Sequence, residues 1–147
     1  MPDHGKSVVI LMADDDPDDR LLTREALEEA GLTNKLYFVE NGELLLDYLF
    51  QRGAYNAENA PRPGLILLDL NMPLMDGREA LEEIKSHAIL RKIPVVVLTT
   101  SKAEEDILLS YELGVSGYIT KPVQFGAFIE VMRTLGRYWF EIVERPY

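Results

Sequence analysis

Five short apolar runs separated by amphipathic stretches constrain this chain more than any other feature. The runs cover residues 8–13, 36–39, 65–69, 94–98 and 117–120. Alternation of this kind marks successive βαβ units, which close into a parallel sheet with helices on both faces. Nearly continuous apolar runs fit strands buried on both sides. The predicted fold is therefore α/β: a doubly wound five-stranded parallel sheet of order 2-1-3-4-5, flavodoxin-like, flanked by five helices.

The stretches between the runs carry helix signals. Asp16-Pro17 reads as an N-cap followed by proline at the first helical position. That helix continues through Leu21, Leu22, Ala26 and Ala30 and stops at Gly31. Asn41 caps a second helix over residues 42–51, with Leu44, Leu45, Tyr48 and Leu49 as its buried face. A third helix is expected over 77–86 and a fourth over 102–113, stopped by Gly114. The fifth begins near Gln124, with Phe125, Phe128, Ile129, Met132 and Leu135 forming an inward stripe. Residues 53–64, with two prolines and two asparagines, read as a long surface connection or a partner contact.

Composition narrows the function classes. With 147 residues the chain reads as one domain, residues 1–147. A chain of this size buries roughly 70% of its unfolded surface, so its core needs no staples. It has no cysteine, which excludes disulfides, thiolate zinc sites and cysteine nucleophiles. Its two histidines, His4 and His87, both read as solvated and are too few for a histidine-rich metal site. The net charge of −10 argues against nonspecific nucleic-acid binding and against anionic membrane surfaces. No apolar stretch approaches the ~20 residues of a membrane span, and the N-terminus lacks the parts of a signal peptide. The expectation is a soluble cytoplasmic protein with no nucleic-acid or membrane partner.

Polar residues end four of the runs. Asp14-Asp15 closes the first, Asp69 the third, Thr99 the fourth and Lys121 the fifth. In an open parallel sheet the carboxyl ends of the strands face one crevice. Carboxylates meeting there repel one another and call for a cation, and oxygen donors favour a hard divalent ion such as Mg2+. A lysine and a hydroxyl facing those acids suit a phosphoryl group.

Taken in order, the acidic pair after strand one, DLNMPLMDG around the end of strand three, LTTS after strand four and GYITKP after strand five form a specific set. With these motifs the chain resembles the CheY-like receiver domain of two-component response regulators over essentially its whole length. The resemblance implies that Asp69 is the phosphoacceptor, attacking a phosphohistidine on a sensor histidine kinase. It implies Mg2+ held by Asp15 directly, by Asp14 through water or nearby, by Asp69 and by the backbone carbonyl of Asn71. Thr99 would hydrogen-bond a phosphoryl oxygen and Lys121 would pair with its charge. Tyr118 would be the switch aromatic, rotating into space that Thr99 vacates. The protein would be a signalling phosphoacceptor rather than an enzyme, promoting only its own phosphotransfer and dephosphorylation. The long loop before strand three, LTTSKAEEDI and the aromatic tail look most like stand-alone regulators that partner cyanobacterial phytochrome histidine kinases.

Blander roles compete at several positions. Asp16 reads as a helix cap, and Asp18, Asp19, Glu28 and Glu29 read as solvated helix face. Three rival functions are weaker. A HAD-like phosphohydrolase needs a D-x-D-x-T/V motif, which residues 14–18 do not complete. An EF-hand matches at Asp14, Asp16, Asp18 and Glu25 but has Asp19 where glycine is required. A phosphorylation-independent interaction module is the third, although the chain keeps every expected site residue. The tail, residues 137–147, is more apolar than a last helical turn requires. Its Tyr138, Trp139 and Phe140 either fold back on the domain or form an exposed patch. The second reading pairs two copies through helix four, strand five, helix five and the tail, giving a homodimer.

Overall fold

The computed structural model of the protein describes residues 8–72, 74–75, 77–99, 114–120 and 124–135, without the side chains of Thr99, Thr120 and Leu135. Five strands, β1 (Ile10–Ala13), β2 (Leu36–Val39), β3 (Leu65–Asp69), β4 (Val95–Thr99) and β5 (Gly117–Thr120), form one sheet of order β2-β1-β3-β4-β5. Every adjacent pair is parallel. The helices are α1 (Pro17–Glu29), α2 (Gly42–Phe50), α3 (Gly77–Ser86) and a C-terminal helix, Phe125–Leu135. The helix expected over 102–113, Lys121 and the tail residues Tyr138, Trp139 and Phe140 lie outside the described residues.

The two faces of the sheet separate by strand alternation. Leu11, Ala13, Ile66, Leu68, Val95 and Val97 face α2 and α3, where Leu45, Leu49, Ala80, Leu81 and Ile84 complete one core layer. Ile10, Met12, Leu65, Leu67, Val96 and Leu98 face the other way, onto Ala26 and Leu27 of α1 and Phe128 and Met132 of the C-terminal helix. The three central strands are buried on both faces, which is why their sequences read as unbroken apolar runs.

Several expectations need correction. β1 starts at Ile10 rather than at residue 8, and β4 runs from Val95 through Thr99 rather than over 94–98. Pro94 has no N–H for the ladder, although its carbonyl still accepts from the Ile66 N–H at 3.0 Å. α2 ends at Phe50 because Gln51 turns left-handed, at φ 53°. In that helix Leu46 is buried, while Leu44 is only partly so. On α1 the buried face is Thr23, Ala26 and Leu27, and Leu21 is 55% exposed. The Thr23 hydroxyl donates to the Asp19 carbonyl at 2.8 Å, which lets a polar side chain occupy the inward stripe. Phe125, at the first position of its helix, is 39% exposed instead of joining Phe128 and Met132 in the core.

His87 is not simply solvated. Its Nδ1 accepts from the N–H groups of Ile89 and Leu90 at 3.1 Å each, starting a single 3-10 turn at Leu90–Lys92. Its ring meets Phe50 edge-on at 5.4 Å. His4 lies outside the described residues. The connection over 53–64 is anchored rather than loose: the Tyr48 hydroxyl donates to the Pro61 carbonyl at 2.7 Å and Gln51 Nε2 to the Ala60 carbonyl at 3.0 Å.

Candidate functional site

Asp14 follows β1 directly and is fully buried (0% exposed), and Asp69 ends β3 at 1% exposure. Local hydrogen bonds fix both carboxylates. Asp14 Oδ1 accepts from the Asp16 N–H at 2.9 Å, while the Asp14 N–H donates to the Val39 carbonyl at 3.0 Å. Asp69 Oδ1 accepts from the Asn71 N–H at 3.0 Å, so the chain turns away immediately after the strand. Asp16 takes the expected cap role: extended at φ −93°, ψ 116°, it accepts from the Asp18 N–H at 2.9 Å.

These constraints bring three carboxylates together. One oxygen each of Asp14, Asp19 and Asp69 lies within 4.8 Å of the others. At that separation two unit charges repel by about 3 kcal/mol at an effective dielectric of about 20. Hard oxygen donors converging with this cost are the donor set a divalent cation neutralises best, and they fit Mg2+ or Mn2+ far better than a soft metal.

The trio is not the one expected. Asp15, expected as the direct metal ligand, is exposed and joins no such group among the described residues. Asp19, expected on the solvated helix face, is half-buried and belongs to the cluster. A signal was present in the sequence. With Asp16 as cap and Pro17 as first helical residue, Asp19 is the third residue of α1. Helical side chains lean toward the helix N-terminus, and that end of α1 abuts the end of β1.

The other expected residues sit as follows. Thr99 ends β4 one residue past Leu98, the register partner of Asp69 on β3, and is in register with Thr120 of β5. Tyr118 pairs with Val97 across β4 and β5 and is half-buried against the core layer beneath α2 and α3. Asn71 is exposed at the start of the loop after β3. Gly77 closes that loop. Its N–H donates to the Leu70 carbonyl at 3.0 Å, and a Cβ on it would stand 2.7 Å from the Leu70 Cα, so only glycine lets α3 start this close to the acid.

Among the described residues no helix is long and apolar enough to cross a membrane. Residues 10–133 match the response regulator receiver domain family. Response regulator Rcp1 of Synechocystis sp. is 43% identical over 138 residues, spanning 94% of this chain and 92% of that protein. The crystal structure of the Mn2+-bound form of Rcp1 is similar with a TM-score of 0.79 at 42% identity, over 95% of this chain and 99% of that one. The phosphorylated cyanobacterial phytochrome response regulator RcpA gives a TM-score of 0.77 at 42% identity, over 90% of this chain and 94% of that one. Sheet order, acid-ended strands and these likenesses agree, and the chain belongs to the response regulator receiver domain family.

Proposed function

We propose that this receiver accepts a phosphoryl group from the phosphohistidine of a sensor histidine kinase onto Asp69 and thereby switches its protein contacts. The observation that carries the proposal is the buried Asp69 carboxylate, held by the Asn71 N–H and grouped with Asp14 and Asp19. A carboxylate oxygen of Asp69 attacks phosphorus. The O–P bond forms as the P–N bond breaks, and the imidazole nitrogen leaves with its electron pair and takes up a proton. The protein contributes position and charge rather than further covalent chemistry.

Asp14, Asp19 and Asp69 would hold a divalent cation, Mg2+ in the cell, with Asp15 and the Asn71 carbonyl as the further donors the family pattern supplies. When bound, the cation offsets the charge of the transferring phosphoryl group. Thr99 would donate its hydroxyl to a phosphoryl oxygen, and Lys121 would pair with the phosphoryl charge. Thr99 directly follows Leu98, the register partner of Asp69, and itself pairs with Thr120, the residue before Lys121; this order along the strand ends supports both assignments. Movement of Thr99 toward the phosphoryl group would open space for Tyr118, whose half-buried ring on β5 supports a switch role. The same groups would govern the domain's own dephosphorylation.

The likeness to Rcp1 and RcpA supports a phytochrome-type kinase as phosphodonor, and with it light signalling in the cytoplasm. Output would be a homodimer formed through the segment after β4, β5, the C-terminal helix and the aromatic tail with Tyr138, Trp139 and Phe140.

The test is to incubate the full chain with phosphoramidate, a small P–N donor, with Mg2+ or with EDTA, and to follow intact mass and elution volume. One phosphoryl adduct that forms only with the cation, and elutes as a larger species, supports the proposal. No adduct in Mg2+ would favour a phosphorylation-independent interaction module.

A further inference from the structure

The loop that follows Asp69 is tied down at three places. The Leu70 N–H donates to the Leu98 carbonyl at 3.2 Å, and the Gly77 N–H returns to the Leu70 carbonyl at 3.0 Å. The third tie comes from another element: the Gly42 N–H, at the first residue of α2, donates to the Met75 carbonyl at 3.0 Å. This contact has no room for a side chain. A Cβ on Gly42 would overlap the Met75 carbonyl oxygen and lie 2.8 Å from the Met75 Cβ.

The residue just before the tie is strained. Leu74 has φ 68°, a left-handed conformation that a leucine rarely adopts, and its side chain is 75% exposed. No burial of its own offsets that cost. A strained residue persists where its surroundings over-determine it. Here the surroundings are the Gly42–Met75 contact on one side and the Asp69–Asn71 turn on the other. α2 is itself fixed, with Asn41 capping it through the Leu44 N–H at 2.8 Å and Leu45 buried in the core.

We propose that Gly42 is a positioning residue for the phosphoacceptor loop: it docks the start of α2 against Met75, holds Leu74 in its left-handed conformation and so fixes the segment that carries Asn71 beside Asp69. The inference rests on the metal-assisted receiver reading above, in which the Asn71 carbonyl is a cation donor. Gly42 touches neither cation nor phosphoryl group and acts only through the loop.

The test compares Gly42→Ala with Leu45→Ala, which opens a cavity beneath the same helix but keeps the glycine at the Met75 contact. Each full-length variant is titrated with Mn2+ alone, read by electron paramagnetic resonance, and melted in EDTA. Gly42→Ala is expected to weaken Mn2+ roughly tenfold per folded molecule, the usual effect of disturbing a residue that orients a ligand. Leu45→Ala is expected to lower the melting temperature while its Mn2+ affinity stays within about twofold of wild type. Unchanged Mn2+ affinity in Gly42→Ala, or equal weakening in Leu45→Ala, overturns the inference. A wild-type chain that takes up no Mn2+ overturns the metal reading itself, and the inference with it. Should Gly42→Ala not fold, Leu74→Gly decides. Relief of imposed strain should raise its melting temperature by about 2–4 °C, and no rise means that nothing holds Leu74 against its preference.

Discussion

Replacing Asp19 with asparagine tests whether the observed trio, rather than the Asp14-Asp15 pair alone, makes the cation site. The substitution keeps the shape of a half-buried side chain whose carboxylate oxygen lies within 4.8 Å of those of Asp14 and Asp69. It removes one negative charge from the group. Losing a ligand-orienting or outer carboxylate typically weakens metal binding about 10–100-fold, or about 1.4–2.7 kcal/mol. Coulomb's law allows more at this distance, but Asp19 is partly exposed and solvent screens it, so the lower end, about tenfold, is expected. A ligand that binds only the folded state stabilises it by RT ln(1 + [L]/Kd), so a tenfold weaker site at saturating Mg2+ stabilises the chain by about 1.4 kcal/mol less. For a domain of this size that is roughly 3–5 °C of melting temperature. The assay is the difference between melting temperatures in Mg2+ and in EDTA. Asp18→Asn, an exposed neighbour bearing the same charge, serves as control. The reasoning fails if the Mg2+-induced shift of Asp19→Asn equals that of wild type, or if Asp18→Asn reduces it as much.

Asp16→Ala removes the acceptor of the Asp18 N–H and should cost about 1 kcal/mol in urea denaturation while leaving the site acids in place. Tyr48→Phe deletes the 2.7 Å hydrogen bond to the Pro61 carbonyl and should cost about 1 kcal/mol at neutral pH. Burial, reinforced by Tyr37 and Tyr55, raises the pKa of the Tyr48 hydroxyl well above its ordinary 10.0. Its contribution is therefore fully present below about pH 10, where the unfolded tyrosine is still neutral, and is lost as pH rises beyond that. Wild type should accordingly lose stability more steeply than Tyr48→Phe in alkaline urea titrations, and parallel curves would contradict the assignment. Tyr118→Ala should leave phosphorylation by a small donor intact but abolish the accompanying change in elution volume; a variant that still shifts removes Tyr118 from the switch.

Most of the architecture was legible because strand and helix signals in this chain are local. Residues 65–69 are apolar up to the acid that ends them, and Asn41 before a run of leucines marks the start of α2. Asp14 and Asp69 were legible for the same reason, since an acid directly after a doubly buried strand has one place to go. What escaped depends on how elements meet. Leu21 and Leu22 are adjacent apolar residues, and only the rotation of α1 on the sheet decides that Leu21 stays outside. Asp19 looks like surface charge until α1 is placed against the end of β1. The left-handed Leu74 leaves no trace in NMPLMDG, because leucine is not a residue that such a turn selects; a contact from α2 imposes it. His87 likewise became a capping acceptor only because the turn after α3 folds back over its ring.

The most direct test of the central claim locates the phosphoryl group. Wild type and Asp69→Asn are incubated with Mg2+ and acetyl phosphate, measured as intact proteins, and then mapped by peptide mass spectrometry. A single phosphoryl adduct on wild type, carried by the peptide containing Asp69 and missing from Asp69→Asn, is the predicted result. An adduct that persists in Asp69→Asn, or that maps to Asp14, Asp15 or Asp19, would contradict the account.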